Sequence, residues 1–257
     1  MTFADAKQRF STRVADYVRY RPGYPSEMIS MLRAECGLQP GHVIADIGSG
    51  TGFLSELFLK SGNRVYGVEP NEAMRQAGEE YLAAYDGFSS IEGSAEATTL
   101  DDASIDFVTA GQALHWFQQD AARQEFRRIL KPDGWTVIAW NDRQMETPFA
   151  SAYEDLLVKY GTDYRKVREA YPEAGAMQEF FAGGSVTQRS LPNEQTFDLE
   201  GLIGRLRSSS YAPLEGHPNY APMLAALAEL FRANQKDGRV VMEYSTHVYY
   251  GRLGASG

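Results

Sequence analysis

VIADIGSGTG, residues 43–52, is the stretch on which the reading of this chain turns. A run of β-forming residues passes straight into a turn carrying Gly48, Gly50 and Gly52, and a helix-patterned stretch, TGFLSELFLKSG, follows. A strand that ends in such a turn brings backbone N–H groups to the carboxyl edge of a sheet, where nucleotide-type ligands sit at a helix N-terminus. The glycine spacing separates two kinds of ligand. A dinucleotide loop reads GxGxxG, its last glycine letting helix and strand pack closely, and that position here is Phe53. Asp46 precedes Gly48 by two residues, so strand alternation turns both toward the ligand edge. A fixed carboxylate there opposes a pyrophosphate and suits a ligand carrying positive charge. The plainer alternative has Asp46 capping neighbouring amides and the glycines making only a tight turn.

Outward from this loop, residues 43–141 alternate short apolar, β-branched runs with longer amphipathic stretches, the pattern of β-α units feeding a parallel sheet with helices on both faces. VIADIGS, RVYGVEP, SSIEGSA, SIDFVTAG and WTVIAWN are the strand candidates. The helix candidates are TGFLSELFLKSG, closed by Gly62; NEAMRQAGEEYLAAYDG, opened by Asn71 and closed by Gly87; and DAARQEFRRILKPDG, stopped by Pro132. A helical leader over 3–35 is interrupted by RPGYP at 21–25. Residues 149–182 and 198–236 read as helical, the latter with apolar faces that include Leu202, Leu206, Leu227 and Phe231. SVTQRSL and VVMEYSTHVYYGRL are two further strands. The run from Val240 to Tyr250 has no proline and belongs inside or beside the sheet. The expectation is one α/β domain over 1–257: a leader (1–39), a Rossmann-like core (40–142), and helical inserts with the last two strands (143–257) forming a cap.

Composition narrows the function. A chain of 257 residues with 43% hydrophobic content can bury one substantial core. A net charge of −9 repels polyanions, which argues against a nucleic-acid partner. A lone cysteine, Cys36, supports neither an internal disulfide nor a cysteine-based metal site and fits a reducing cytoplasm. MTFADAKQRF lacks the apolar core of a secretory signal, and no uninterrupted apolar run approaches about 18 residues, so no membrane partner is expected. HExxH, GxxxxGK[ST] and GxSxG motifs are all absent, and the expectation is chemistry without a metal or a covalent nucleophile.

Glu69, ending RVYGVEP, stands 17 residues after Gly52 and one strand over. An acid there accepts hydrogen bonds from both hydroxyls of a ribose, worth on the order of 1.5–3 kcal/mol each when shielded. A ribose at Glu69 and a cation at Asp46 together describe S-adenosyl-L-methionine, with its ammonium and sulfonium.

DxGxGxG in ADIGSGTG, the acid in GVEPNEAM, GSAE at 93–96, SIDFV at 104–108, QALHWF at 112–117 and EFRRILKPDGWTVI at 125–138 together resemble class I S-adenosylmethionine-dependent methyltransferases. Among them the resemblance is strongest to the small-molecule branch that includes ubiquinone-biosynthesis and trans-aconitate methyltransferase-like proteins. It implies a seven-stranded sheet whose last strand runs antiparallel, S-adenosyl-L-methionine as donor and a small-molecule acceptor. It makes the backbone of Gly48, Ser49 and Gly50 the floor under the methionine and ribose, and it sets Met74 against the adenine, unless Met74 only fills the core as methionines on helices commonly do. Many relatives carry Gly-Asp-Ala where this chain has Gly93, Ser94 and Ala95; Ser94 departs from that pattern, so Ser94, Ala95 and Glu96 share the adenine edge. Gln112 meets the methionine tail or the acceptor. His115 is either a general base poised near neutral pH or part of a structural plug. Tyr20 and Arg21 fold over the cofactor, Arg21 neutralising its carboxylate, or else form a surface turn. Two other functions stay open: a module that binds the cofactor without transferring a methyl, and an NAD-dependent oxidoreductase, which Phe53 and Asp46 disfavour.

Overall fold

The computed structural model describes residues 14–169, 175, 179–181 and 183–254. Seven strands, β1 (Val43–Ile47), β2 (Arg64–Val68), β3 (Phe88–Ile91), β4 (Ile105–Gly111), β5 (Leu130–Arg143), β6 (Val186–Phe197) and β7 (Val240–Gly251), form one sheet in the order β3-β2-β1-β4-β5-β7-β6. The pairs from β3 to β5 are parallel. Between β5 and β6 lies β7, antiparallel to both, so Val240–Tyr250 sits inside the sheet. Strand order reverses between β1 and β4, and the carboxyl ends of those two strands open a crevice.

Period-2 alternation splits the strand residues between two cores. Ile44, Val65, Phe107 and Val137 face one side, where α1 (Val14–Tyr20) leads into α2 (Glu27–Cys36) and α3 (Phe53–Lys60) follows β1; Met28, Leu32, Leu54 and Phe58 pack there. Ala45, Val108 and Ile138 face the other, under Leu114 of a short 3-10 turn (Leu114–Trp116) and under Phe126 and Ile129 of α5 (Gln119–Ile129). On the same sheet edge as β2, α4 (Glu72–Tyr81) begins at Asn71, whose Oδ1 accepts from the N–H of Ala73 and Met74 at 3.0 and 3.2 Å, a cap worth about 1 kcal/mol.

A third core belongs to the inserts, α6 (Pro148–Tyr160), α7 (Tyr164–Glu169), α8 (Leu199–Arg207) and α9 (Tyr220–Asn234). Tyr153, Leu157, Leu202, Leu206 and Leu227 meet there with Val240, Met242 and Tyr244 from the first half of β7. The second half of that strand, Val248 to Tyr250, joins the sheet cores instead.

Several boundaries differ from those expected. The α4 helix stops at Tyr81, six residues short of Gly87, because turns through Leu82 and Tyr85 already reverse the chain toward β3. Ile129 ends α5 before Pro132 is reached, since Leu130 is paired with Ile105 across the sheet. The helical stretch expected over 149–182 breaks after Tyr160, and that over 198–236 breaks between Arg207 and Tyr220. The strand begun by SVTQRSL runs on to Phe197 through Pro192, which an edge strand tolerates. Of the leader, residues 3–13 lie outside the described residues, as do parts of 170–182.

Candidate cofactor and acceptor site

The glycine turn after β1 has left-handed backbone at Gly48, Gly50 and Gly52. A Cβ on Gly48 would come within 2.7 Å of the Ala113 side chain, and one on Gly52 within 2.6 Å of Leu82, so neither position admits a larger residue without a shift. Gly48 and Ser49 donate to the Val68 carbonyl at 2.8 and 3.2 Å, which ties the turn to the end of β2.

There Glu69, only 8% exposed, acts as a clamp. One carboxylate oxygen accepts from the Gly50 N–H at 2.9 Å and the other from the Asn71 N–H at 2.8 Å. Burial raises its pKa, against these two donors and the positive charge of Arg75. Each oxygen keeps a further lone pair for a hydroxyl. Met74 is buried, and its methyl end lies against Gly50.

Asp46 is buried at 1% exposure, yet it borders the cavity described below. It accepts from the Ser55 hydroxyl at 2.6 Å and the Thr109 hydroxyl at 3.1 Å. Burial pushes its pKa up to about 6, against those two bonds. In the free protein this favours the protonated fold: the stability it contributes is fully present below the unfolded carboxylate range and is lost as pH rises through 6. For a cationic ligand that contacts Asp46 the sign reverses, because such a contact needs the ionised carboxylate. S-adenosylmethionine affinity is therefore expected to be full above pH 7 and to fall about tenfold per pH unit below 6, with proton release on binding. Titration calorimetry in buffers of unlike ionisation heat checks this, and a flat profile, or one that Asp46→Asn leaves sloping, contradicts it.

At the end of β4, Gln112 adopts a left-handed backbone, φ 55°, which is strained for a residue with a side chain. Its N–H donates to the Ala139 carbonyl and its Nε2 to the Asn141 carbonyl, both at 3.0 Å. The remaining Oε1 is buried with no partner among the described residues. His115 follows on the 3-10 turn, its ring 4.4 Å from Trp116 and 5.3 Å from Trp140. Burial pushes its pKa down to about 4, so the ring is neutral at pH 7 and lacks the poise near neutrality expected of a base.

Past β3, Ser94 and Ala97 bond each other's backbone at 3.1 and 3.2 Å, closing a turn around buried Ala95. The Glu96 N–H reaches the Ser94 hydroxyl at 3.3 Å, and the Glu96 carboxylate accepts from the Gln118 N–H at 2.8 Å. The acid that stands nearest in sequence to the missing Asp is thus engaged at the start of α5.

A cavity of about 200 Å³ occupies the crevice above β1 and β4. Asp46, Gly48, Ser49, Gly50, Gln112 and His115 border it, and so does Arg21, which donates to the Ser208 carbonyl at 2.9 Å. Glu69, Met74, Ser94, Ala95 and Glu96 lie outside its walls, on the side of the glycine turn toward β2 and β3. Tyr20 parts from Arg21: its ring packs on Gly204 of α8 and its carbonyl accepts from Gln195 at 3.1 Å, away from the cavity.

Tyr211, expected in the cap formed by the inserts, borders the same cavity, whereas sequence reasoning missed its neighbours on the far wall: Arg143 at the end of β5, Glu154 on α6, Tyr164 on α7 and Arg205 on α8. Arg143 and Glu154 form an ion pair with side chains 14% and 12% exposed, and Tyr164 donates to Glu154 at 2.5 Å. One signal was present: Arg205 falls one turn along from Leu202, beside Leu206, a cation on the apolar stripe of an insert helix. Among the described residues no cluster of His, Cys, Asp or Glu could hold a metal ion, and no helix is long and apolar enough to cross a membrane.

The methyltransferase domain family matches residues 45–138, from Asp46's neighbour to the middle of β5. An uncharacterized methyltransferase of Schizosaccharomyces pombe is 31% identical over 177 residues, covering 65% of this chain and 67% of that protein. A ubiquinone/menaquinone biosynthesis C-methyltransferase of Hydrogenovibrio crunogenus is 30% identical over 136 residues, 49% of this chain and 54% of its own length. The fold is shared with a protein of Anaeromyxobacter dehalogenans provisionally assigned as a type II methyltransferase, at a TM-score of 0.68 and 22% identity over 92% of this chain and 100% of that one. The chain belongs to the class I S-adenosylmethionine-dependent methyltransferases. Its reaction is methyl transfer and its donor S-adenosyl-L-methionine.

Proposed function

We propose that the methyl group passes to a small-molecule acceptor held in the cavity between the glycine turn and the insert helices. The observation that carries this reading is that one cavity is bordered both by the donor-side residues Asp46, Gly48 and Gln112 and by insert residues of α6, α7 and α8. The donor fits what the chain offers. Asp46 and the unpartnered Oε1 of Gln112 suit an ammonium, the Glu69 oxygens a ribose, and Arg21 a carboxylate. Met74 and the turn at Ser94–Glu96 are assigned to the adenine side. When bound, the donor supplies an already activated methyl on a sulfonium. The protein's part is to align the acceptor and exclude water, which the enclosing inserts and aromatic walls do.

In this reading His115 shapes the wall between Trp116 and Trp140 rather than carrying a proton. His115→Phe is expected to keep kcat within about tenfold of the parent with an unshifted pH profile, because general-base catalysis is worth about 10²–10⁴ and its loss would show. A drop of about a thousandfold with a lost acidic limb would make His115 the base. A cytoplasmic setting is proposed from the lone cysteine, Cys36, which is buried and unpaired.

The test of the whole reading is radiolabel. Incubated with methyl-labelled S-adenosylmethionine and a small-molecule extract, the protein should move label into low-mass product. Label only in macromolecules would overturn a small acceptor. Donor binding without any transfer would leave a binding module.

A further inference from the structure

The insert side of the cavity carries more positive charge than its own residues balance. Arg205 is buried at 6% exposure, donates to the Tyr244 hydroxyl at 3.3 Å and the Ser209 hydroxyl at 3.0 Å, and has no ion-pair partner among the described residues. Arg143 spends one nitrogen on Glu154 and on the Tyr164 hydroxyl, 3.2 Å away, and its guanidinium lies 4.9 Å over the Tyr153 ring. Its other terminal nitrogen, Nη1, is buried with no partner among the described residues. Both guanidiniums act on the same two phenols, Tyr153 and Tyr211.

Counting charges around the cavity isolates the surplus. Glu154 is committed to Arg143. Asp46 is held by Ser55 and Thr109 on the donor side. Asp142 also borders the cavity, but its side chain is 60% exposed and its ion-pair contact is His247, 4.0 Å away. With Arg21 assigned to the donor's carboxylate, Arg205 is left as a desolvated cation with only hydroxyls around it, an arrangement that is costly unless an anion completes it. Tyr211 registers the same field: burial raises its pKa, and Arg205, Arg21 and Arg143 outweigh that and bring it below the usual phenol value.

We infer that Arg205, together with the unpartnered Nη1 of Arg143, binds a carboxylate of the methyl acceptor, so that the acceptors of this enzyme are small carboxylic acids. A planar guanidinium with N–H groups left over matches the two oxygens of a carboxylate, and Tyr164 and Tyr244 border the same space. The inference rests on the reading of the cavity as the acceptor site.

The experiment splits a small-molecule extract on an anion exchanger and incubates the retained and unretained fractions separately with methyl-labelled S-adenosylmethionine. Label is expected in the retained fraction. With the labelled acid, Arg205→Met should raise KM at least about tenfold and change kcat less, Arg205→Lys should lie between, and S-adenosylhomocysteine affinity should stay at the parent value. Label confined to the unretained fraction overturns the inference. So does an Arg205→Met enzyme that binds S-adenosylhomocysteine normally and turns over its acceptor with an unchanged KM. Labelling that phosphatase treatment of the retained fraction abolishes marks a phosphomonoester and overturns the carboxylate. Arg143→Met repeats the test from a second position should Arg205→Met fail to fold. Label in neither fraction defeats the acceptor-site reading itself, a result distinct from label in the wrong one.

Discussion

Glu69→Ala is expected to weaken S-adenosylmethionine binding at least about a hundredfold in titration calorimetry. Two hydrogen bonds from ribose hydroxyls to a shielded carboxylate are worth about 1.5–3 kcal/mol each, and about 1.4 kcal/mol is a factor of ten. The loss goes beyond the ribose. The Gly50 and Asn71 N–H groups, which Glu69 accepts at 2.9 and 2.8 Å, lose their partner together, so the glycine turn and the start of α4 slacken where the cofactor would rest. The free protein should lose less than the complex, because burial already penalises the ionised carboxylate. An unchanged dissociation constant would remove Glu69 from the site.

Glu154→Ala is expected to cost about 3–5 kcal/mol of folding stability, read as a lowered midpoint in urea denaturation. Arg143 and Glu154 are both largely buried, and removing the acid leaves the Arg143 guanidinium without its ion-pair partner. The Tyr164 hydroxyl loses its acceptor in the same stroke. Most of the loss should return in the double variant Glu154→Ala, Arg143→Met, since the penalty lies in an uncompensated charge and not in the absence of a bond. A loss below about 1 kcal/mol would mean that solvent reaches the pair and screens it.

The parallel half of the fold was legible because its signals are local. Alternation along VIADI and IDFVTAG sends Ile44 and Phe107 to one core and Ala45 and Val108 to the other, and Asn71 declares a helix start by its own side chain. The positions assigned to the donor follow the same local pattern: Asp46 lies at the end of β1, and Gly48 and Glu69 stand just past the ends of β1 and β2. Helix ends read less well. Gly87 has the composition of a stop signal, but the chain had already turned at Leu82, and nothing in a glycine says whether it closes a helix or only precedes a strand. Environment was the least readable quantity. His115 is buried against Trp140, contributed by the next strand, and the far wall of the cavity draws on β5, α6, α7 and α8, elements that meet only when the sheet is complete. Tyr20 and Arg21 are adjacent in sequence and part company because one packs on Gly204 while the other turns toward the cavity.

The long β7 strand has a mechanical meaning. It is laced to β5 from Thr136–Gly251 through Arg143–Tyr244, and its opposite end is embedded among the insert helices through Val240 and Met242. A ladder that runs unbroken from core to cap acts as a beam, not as a hinge. The span between the cation that anchors an acceptor and the floor that presents the methyl is then fixed by strand geometry, as on a gauge. Such an enzyme selects by reach, and an acid too short for the gauge occupies the cavity as an inhibitor without being methylated.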